Sequence, residues 1–169
     1  GFSAKCKSLI KTTRARILVI RRRVVAKQRF LKGDLAKLLS DGLDMNAYGR
    51  IEEFVAGMNL LFCYDYVEQA CESVLKQLSK IQKQENCPED CKEPISLLMF
   101  AAARFSDLPE LRDLRDLFRG RYGNLEALVN QKFVERLFPG PPTWDNKIQV
   151  LQNIASEFSI NWDAKRFEQ

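Results

Sequence analysis

The stretch KSLIKTTRARILVIRRRVVAKQRFLKGDLAKLLSDG, residues 7–42, carries two patterns at once. Ile10, Ile17, Val24, Leu31 and Leu38 recur every seven residues, Leu18, Val25 and Leu39 stand one position further round, and Leu35 completes the apolar side. Seven residues advance an α-helix by two turns less about 20°, so these side chains line one face. Arg22 and Arg29 fall opposite that face, and Arg14, Arg16, Arg21 and Arg23 fall on its flanks. As a single helix, residues 8–41 span about 50 Å at about 1.5 Å per residue. A helix of that length cannot bury its stripe alone and needs a partner helix of similar length.

The second pattern is charge. Lys5, Lys7, Lys11, Arg14, Arg16, Arg21, Arg22, Arg23, Lys27, Arg29 and Lys32 precede the first acid, Asp34. The whole chain holds 27 basic and 22 acidic residues, which leaves the part after residue 32 with more acids than bases. A basic helix on an acidic body points its cations at phosphate, on lipid or on nucleic acid. Lys7, Lys11, Arg14, Arg16, Arg21, Arg22, Arg23, Lys27 and Arg29 are the candidate phosphate-facing set, with docking expected at an anionic membrane surface, reversible and without insertion. Two plainer readings stand beside it: a solvated face, and cations that contact the acidic body of the same chain. A basic stripe also suits nucleic acid, but no aromatic–basic interleaving or nucleic-acid motif accompanies it.

With 169 residues, one domain over 1–169 is the expectation. The longest apolar run, Leu97–Ala103, falls far short of a membrane span. The N-terminus lacks the apolar core of a secretory signal, and its repeat runs on into acid-containing sequence, unlike a mitochondrial presequence. The chain opens with Gly1, not Met, and reads as a trimmed piece. There is no histidine, which removes Ser-His-Asp and Cys-His nucleophiles and every His-containing zinc site. The five cysteines, an odd number, read as reduced thiols of a cytoplasmic protein. Cys87 and Cys91 lack a second closely spaced pair with which to hold a metal. The carboxylate pairs Glu52–Glu53, Glu89–Asp90 and Asp113–Asp116 read as solvated. Gly120-x-x-Gly123 lacks the Lys-Ser/Thr of a phosphate loop. No catalytic residue, metal or cofactor is expected.

Punctuation sets the remaining helices. Gly42 ends the first in a left-handed cap, and Asp44 is a plausible N-cap for a second over about 45–84. Tyr48, Ile51, Val55, Met58, Phe62, Val67, Cys71, Val74, Leu78 and Ile81 mark its apolar face at helical spacing. The expectation is a long antiparallel hairpin over about 8–84. Shorter helices follow over about 92–158. One starts near 92–94, because Pro94 is barred from an ordinary helix interior, and includes Phe105. Ser106–Glu110 is a cap-and-Pro start leading to Leu111, Leu114, Leu117 and Phe118. Helices over about 125–137 and 144–158, the second capped by Thr143, complete an all-α reading.

Four stretches resemble one family: Lys7-Ser-Leu-Ile-Lys-Thr-Thr-Arg-Ala-Arg16, Gly42-Leu-Asp-Met-Asn-Ala-Tyr-Gly-Arg50, Ser96-Leu-Leu-Met-Phe-Ala-Ala-Ala-Arg104, and Asp107-Leu-Pro-Glu-Leu111 with Arg119–Gly123. The chain resembles the N-terminal domain of the increased-sodium-tolerance family, the ESCRT-III-like regulators of multivesicular body sorting, most closely its plant paralogues. The resemblance implies an ESCRT-III core in the closed conformation, with residues 107–119 (Asp107, Leu108, Pro109, Glu110, Leu111, Leu114 and Leu117 in particular) folded back on the hairpin. It implies binding to the C-terminal helix of a charged-multivesicular-body protein, contact with ESCRT-III polymers, and regulation of the AAA ATPase that disassembles them. The work is peripheral, at endosome and multivesicular body membranes. The family usually binds the MIT domain of the ATPase through a motif in a C-terminal tail. This chain ends at Gln169, so partner binding is expected of it rather than ATPase recruitment.

Overall fold

In the computed structural model, which describes residues 1–168, α1 (Phe2–Ser40) is one unbroken helix of 39 residues. It begins six residues earlier than the stripe predicts. It ends as predicted: Gly42 takes φ +74°, Leu43 N–H donates to Leu38 C=O at 2.8 Å and Gly42 N–H to Leu39 C=O at 3.2 Å. These two bonds close a Schellman motif. Then follow α2 (Asp44–Lys76), α3 (Leu78–Lys83), α4 (Lys92–Ala101), α5 (Glu110–Tyr122), α6 (Gln131–Leu137), α7 (Trp144–Glu157) and α8 (Ala164–Glu168), with 3-10 turns at Glu89–Cys91 and Glu126–Leu128. Among the described residues there is no strand.

Four local expectations need correction. Asp44 lies one residue inside α2 rather than capping it, and Ala47 N–H bonds to Leu43 C=O. The second helix breaks at Gln77, whose ψ is 14° and whose side-chain oxygen accepts from the Cys91 thiol at 3.2 Å. Nothing local marks that break, since no Gly or Pro is near it. The helix carrying Leu98 and Met99 stops at Ala101, so Phe105 is buried beyond its end. The helix expected over 125–137 is only Gln131–Leu137, because Asn124 and Asn130 turn their side-chain oxygens onto the backbone N–H groups two residues on, at 2.9 and 2.8 Å. Asn side chains compete with helix in this way. Two other expectations hold: Pro94 sits in the first turn of α4, where no intrahelical donor is needed, and Thr143 Oγ1 accepts from Asn146 N–H at 3.2 Å to cap α7.

The chain forms two compact units. The first comprises residues 1–21 and 62–137. In it the start of α1 lies antiparallel to the end of α2, and α3 to α6 close over a core that includes Ile10, Ile17, Val67, Val74, Leu98, Met99, Phe118 and Phe133. The second comprises residues 22–61 and 138–169. There the end of α1 runs antiparallel to the start of α2, and α7 supplies Val150, Leu151 and Ile154 to Leu31, Leu35, Leu39, Ile51 and Phe54.

In the second unit a polar side chain locks the pairing. Gln28 is buried and its Nε2 donates to Phe54 C=O at 2.8 Å. Its amide occupies the space over Gly57, where a Cβ would stand 2.1 Å from Gln28 Oε1. Alanine in place of a helix-interior glycine normally stabilises by about 1 kcal/mol. Here it evicts a buried amide from its hydrogen bond, which costs about 1–3 kcal/mol. Gly57→Ala is therefore expected to lower stability by about 1 kcal/mol, the difference between these terms. In a Gln28→Ala background the same change is expected to raise stability by about 1 kcal/mol. Urea midpoints of the four chains read this directly; stabilisation by Gly57→Ala in both backgrounds would refute the lock.

Candidate functional site

The candidate residues divide between the two units. In the first, Arg14 Nε bonds to Glu68 at 2.8 Å and Arg21 Nε to Asp65 at 2.7 Å, each tying α1 to α2. Arg16 reaches α5, where Nε and Nη2 both donate to Glu110, each at 2.8 Å. This two-pronged contact is the strong geometry for an arginine–carboxylate pair. It holds the Glu110 carboxyl below the usual carboxylate range and pushes the Arg16 guanidinium up. Lys7 and Lys11 are exposed.

Residues 107–122 are held at both ends. At the start, Tyr64 of α2 donates its hydroxyl to the Asp107 carboxylate, so Asp107 serves Tyr64 rather than capping α5. Burial and that carboxylate push the Tyr64 hydroxyl up. Pro109 stands at the N-cap, and Leu108, Leu111, Leu114 and Phe118 are fully buried, with Leu117 half-buried. At the far end Arg121 Nη2 donates to Ile81 C=O at 2.9 Å and Gln82 C=O at 2.7 Å, so it caps α3. Its guanidinium also lies 4.5 Å from the Phe2 ring centroid, and Phe2 packs edge-on against Phe118 at 6.2 Å. Sequence reasoning missed Tyr64 and Arg121. Tyr64 was not among the positions read for the face of the second helix, and the only sign of Arg121 was its place in the family-like Arg119–Gly123 stretch.

Two open clefts flank this unit. One, of about 670 Å³, has Leu9 of α1 and Leu117 of α5 on its walls, with Lys5, Asp113 and Asp116 at its rim. The other, of about 600 Å³, lies among Tyr66, Leu128 and Gln131, with Glu89, Lys92 and Lys132 around it.

In the second unit Lys27 pairs with Glu53 at 3.3 Å and Lys32 with Glu157 at 3.1 Å. Arg22, Arg23 and Arg29 are exposed and, among the described residues, have no ionic or hydrogen-bonding partner. Five of the basic residues before Asp34 are thus neutralised within their own units: Arg14, Arg16, Arg21, Lys27 and Lys32. The cations that contact the acidic body and the cations left for a partner are both present, side by side.

Burial disfavours the thiolate at all five cysteines. Burial pushes Cys6 and Cys71 up to about 12 and Cys63 and Cys91 up to about 11, far from a reactive thiolate. Among the described residues no three Cys, Asp or Glu side chains form a group able to hold a metal ion, and no helix is long and apolar enough to cross a membrane.

The comparisons with known proteins agree with this architecture. The family model described as "Ist1: Regulator of Vps4 activity in the MVB pathway" matches residues 7–161. An IST1-like protein of Dictyostelium discoideum is 25% identical over 169 residues, covering 95% of this chain and 46% of the relative; the chain spans about half the length of that relative. Among solved structures, the N-terminal domain of Saccharomyces cerevisiae Ist1, in complex with the Did2 MIM motif, superposes with a TM-score of 0.83 at 19% identity, covering 97% of this chain and 96% of that one. At that identity the structural likeness speaks for the fold, and the family model speaks for the lineage. The chain belongs to the Ist1 family, the regulators of Vps4 activity in the multivesicular body pathway.

Proposed function

We propose that this chain is a non-enzymatic adaptor that docks the C-terminal helix of a charged-multivesicular-body protein and thereby modulates the AAA ATPase that disassembles ESCRT-III. The observation that carries the reading is the family match over nearly the whole chain, residues 7–161. The closed arrangement of α5, tied down by Tyr64 and Arg16 at one end and Arg121 at the other, supports a preformed docking surface rather than one assembled on binding. The cleft between Leu9 and Leu117 offers an apolar floor to an amphipathic helix, and the cleft at Tyr66 and Leu128 offers a smaller apolar patch among charged residues. The unpaired cations of α1 support peripheral attachment to acidic endosomal membrane from the cytoplasmic side and contact with ESCRT-III polymers.

Calorimetric titration with the C-terminal helix peptide of a charged-multivesicular-body protein tests the reading. Saturable one-to-one binding is expected. Repeating it with Leu117→Asp and with Leu128→Asp assigns the cleft, since each places a charge on one floor only. Heat-silent titration of the intact fold, with no competition by excess peptide in a second assay, removes the adaptor reading.

A further inference from the structure

We infer that in the second unit Phe30 and the arginines around it form a lipid-docking face on which the Phe30 ring enters the bilayer interface. This deepens the membrane part of the proposed function and is independent of its partner-helix part.

Phe30 is 77% exposed, and among the described residues no aromatic or cation–π contact shields its ring. On an ideal helix Arg23 lies about 20° round from it and Ala26 about 40°. Arg22 and Arg29 lie about 80–100° to the other side. Phe30 therefore stands between Arg23 on one side and Arg22 and Arg29 on the other, with the methyl-sized Ala26 and the side-chain-free Gly33 one turn either way, and the acid one turn on, Asp34, is paired with Arg50 at 3.5 Å. On the α1 part of this unit, Arg22, Arg23 and Arg29 have no carboxylate partner among the described residues, whereas Lys27 and Lys32 are taken by Glu53 and Glu157. A large apolar group ringed by free guanidinium matches an interface in which a phosphate layer overlies hydrocarbon. The second unit carries an open cleft of about 500 Å³ lined by Val25, Arg29, Lys32, Met58 and Phe158, and Phe30 is not among its lining residues, which suits a deformable bilayer better than a shaped protein partner. The charge pattern alone predicted docking without insertion; the exposure of Phe30 changes that.

The test is co-flotation of the intact 169-residue chain with phosphatidylcholine vesicles, with and without phosphatidylserine. Partition of the parent chain into the anionic vesicles is expected, and little into the neutral ones. Phe30→Ser, which leaves the charge unchanged, is expected to weaken partition about tenfold. Replacing Arg22, Arg23 and Arg29 together by Gln is expected to weaken it about a hundredfold. All four positions are exposed, and helix content by circular dichroism checks each fold. Phe30→Trp is expected to be quenched by bromine-labelled acyl chains beyond the quenching of the parent. If the parent partitions but Phe30→Ser partitions equally well, insertion is wrong and membrane docking stands. If the parent ignores anionic vesicles, both fail, and tight retention on a DNA duplex in that case would reassign the face to nucleic acid.

Discussion

Leu114→Asp is expected to free α5 and to expose Arg115 and Arg119 to trypsin. Leu114 is fully buried in the core of the first unit, between Leu111 and Phe118 on the inward face of α5. Removing a buried leucine costs about 2–5 kcal/mol by itself, and a carboxylate cannot stay ionised there unpaired. Detachment of the segment is opposed by the burial of Leu108, Leu111 and Phe118 and by the Tyr64–Asp107 hydrogen bond, the Arg16–Glu110 pair and the Arg121 cap, so the substitution raises the open population without making it the ground state. Opening by about 3–4 kcal/mol raises the open population, and with it the rate of cleavage within α5, about a hundredfold to a thousandfold. Leu117→Asp, at a half-buried position, should accelerate cleavage far less. Equal cleavage of the parent and Leu114→Asp would mean that α5 contributes nothing as a clasp. Protection of α5 equal to that of α4 in hydrogen exchange of the parent chain would mark it as fixed core.

Phe133→Ala is expected to lower stability by about 3–5 kcal/mol, the range for a fully buried phenylalanine. The ring is the meeting point of three others: Tyr66 at 6.0 Å, Phe100 edge-on at 6.4 Å and Phe105 stacked at 6.3 Å. Each such pair adds about 0.5–1.5 kcal/mol beyond area burial. A cavity at that centre leaves α6 with little hold, since Phe133 is its one fully buried side chain. Phe133→Leu keeps most of the volume but gives up the ring contacts, and should cost about 1.5–3 kcal/mol, less than Phe133→Ala. Thermal or urea unfolding distinguishes them, and similar losses for the two would show that the aromatic meeting point, not volume, fixes α6. Because Tyr66 also lines the cleft of about 600 Å³, Phe133→Leu provides the milder perturbation of that surface for binding experiments.

The burial of Leu114 was legible in the spacing of Leu111, Leu114 and Phe118, whereas Phe133 lay in a helix expected over 125–137 and was not singled out. The heptad stripe placed Ile10, Ile17, Leu31, Leu35 and Leu39 correctly in the interior. Leu18 is 53% exposed although it was assigned to the same stripe. The reason is the helix's lag of about 20° per seven residues. In the register of Leu18, Val25 and Leu39, successive members rotate toward the core, so the first lies outside, the second is half-buried and the last is buried. Helix ends set by local chemistry, at Gly42 and Thr143, were legible. The break at Gln77 was not, because it depends on a thiol fourteen residues away. The basic face was legible as composition only. Which cations remain available depends on carboxylates contributed by α2, α5 and α7, and no spacing within α1 encodes those partners.

The buried Gln28 amide also acts as a ruler. A register slip of one helical turn, about 5.4 Å, is one of the moves by which packed helices change shape. In the second unit such a slip would carry the amide from Gly57 to the level of Phe54 or Leu61, where a side chain already fills the space that Gly57 leaves empty. The ratchet has one tooth. Any rearrangement of this unit must therefore bend the helices or unzip them from an end, and sliding would first require the loss of Gln28 or the opening of a second gap along α2.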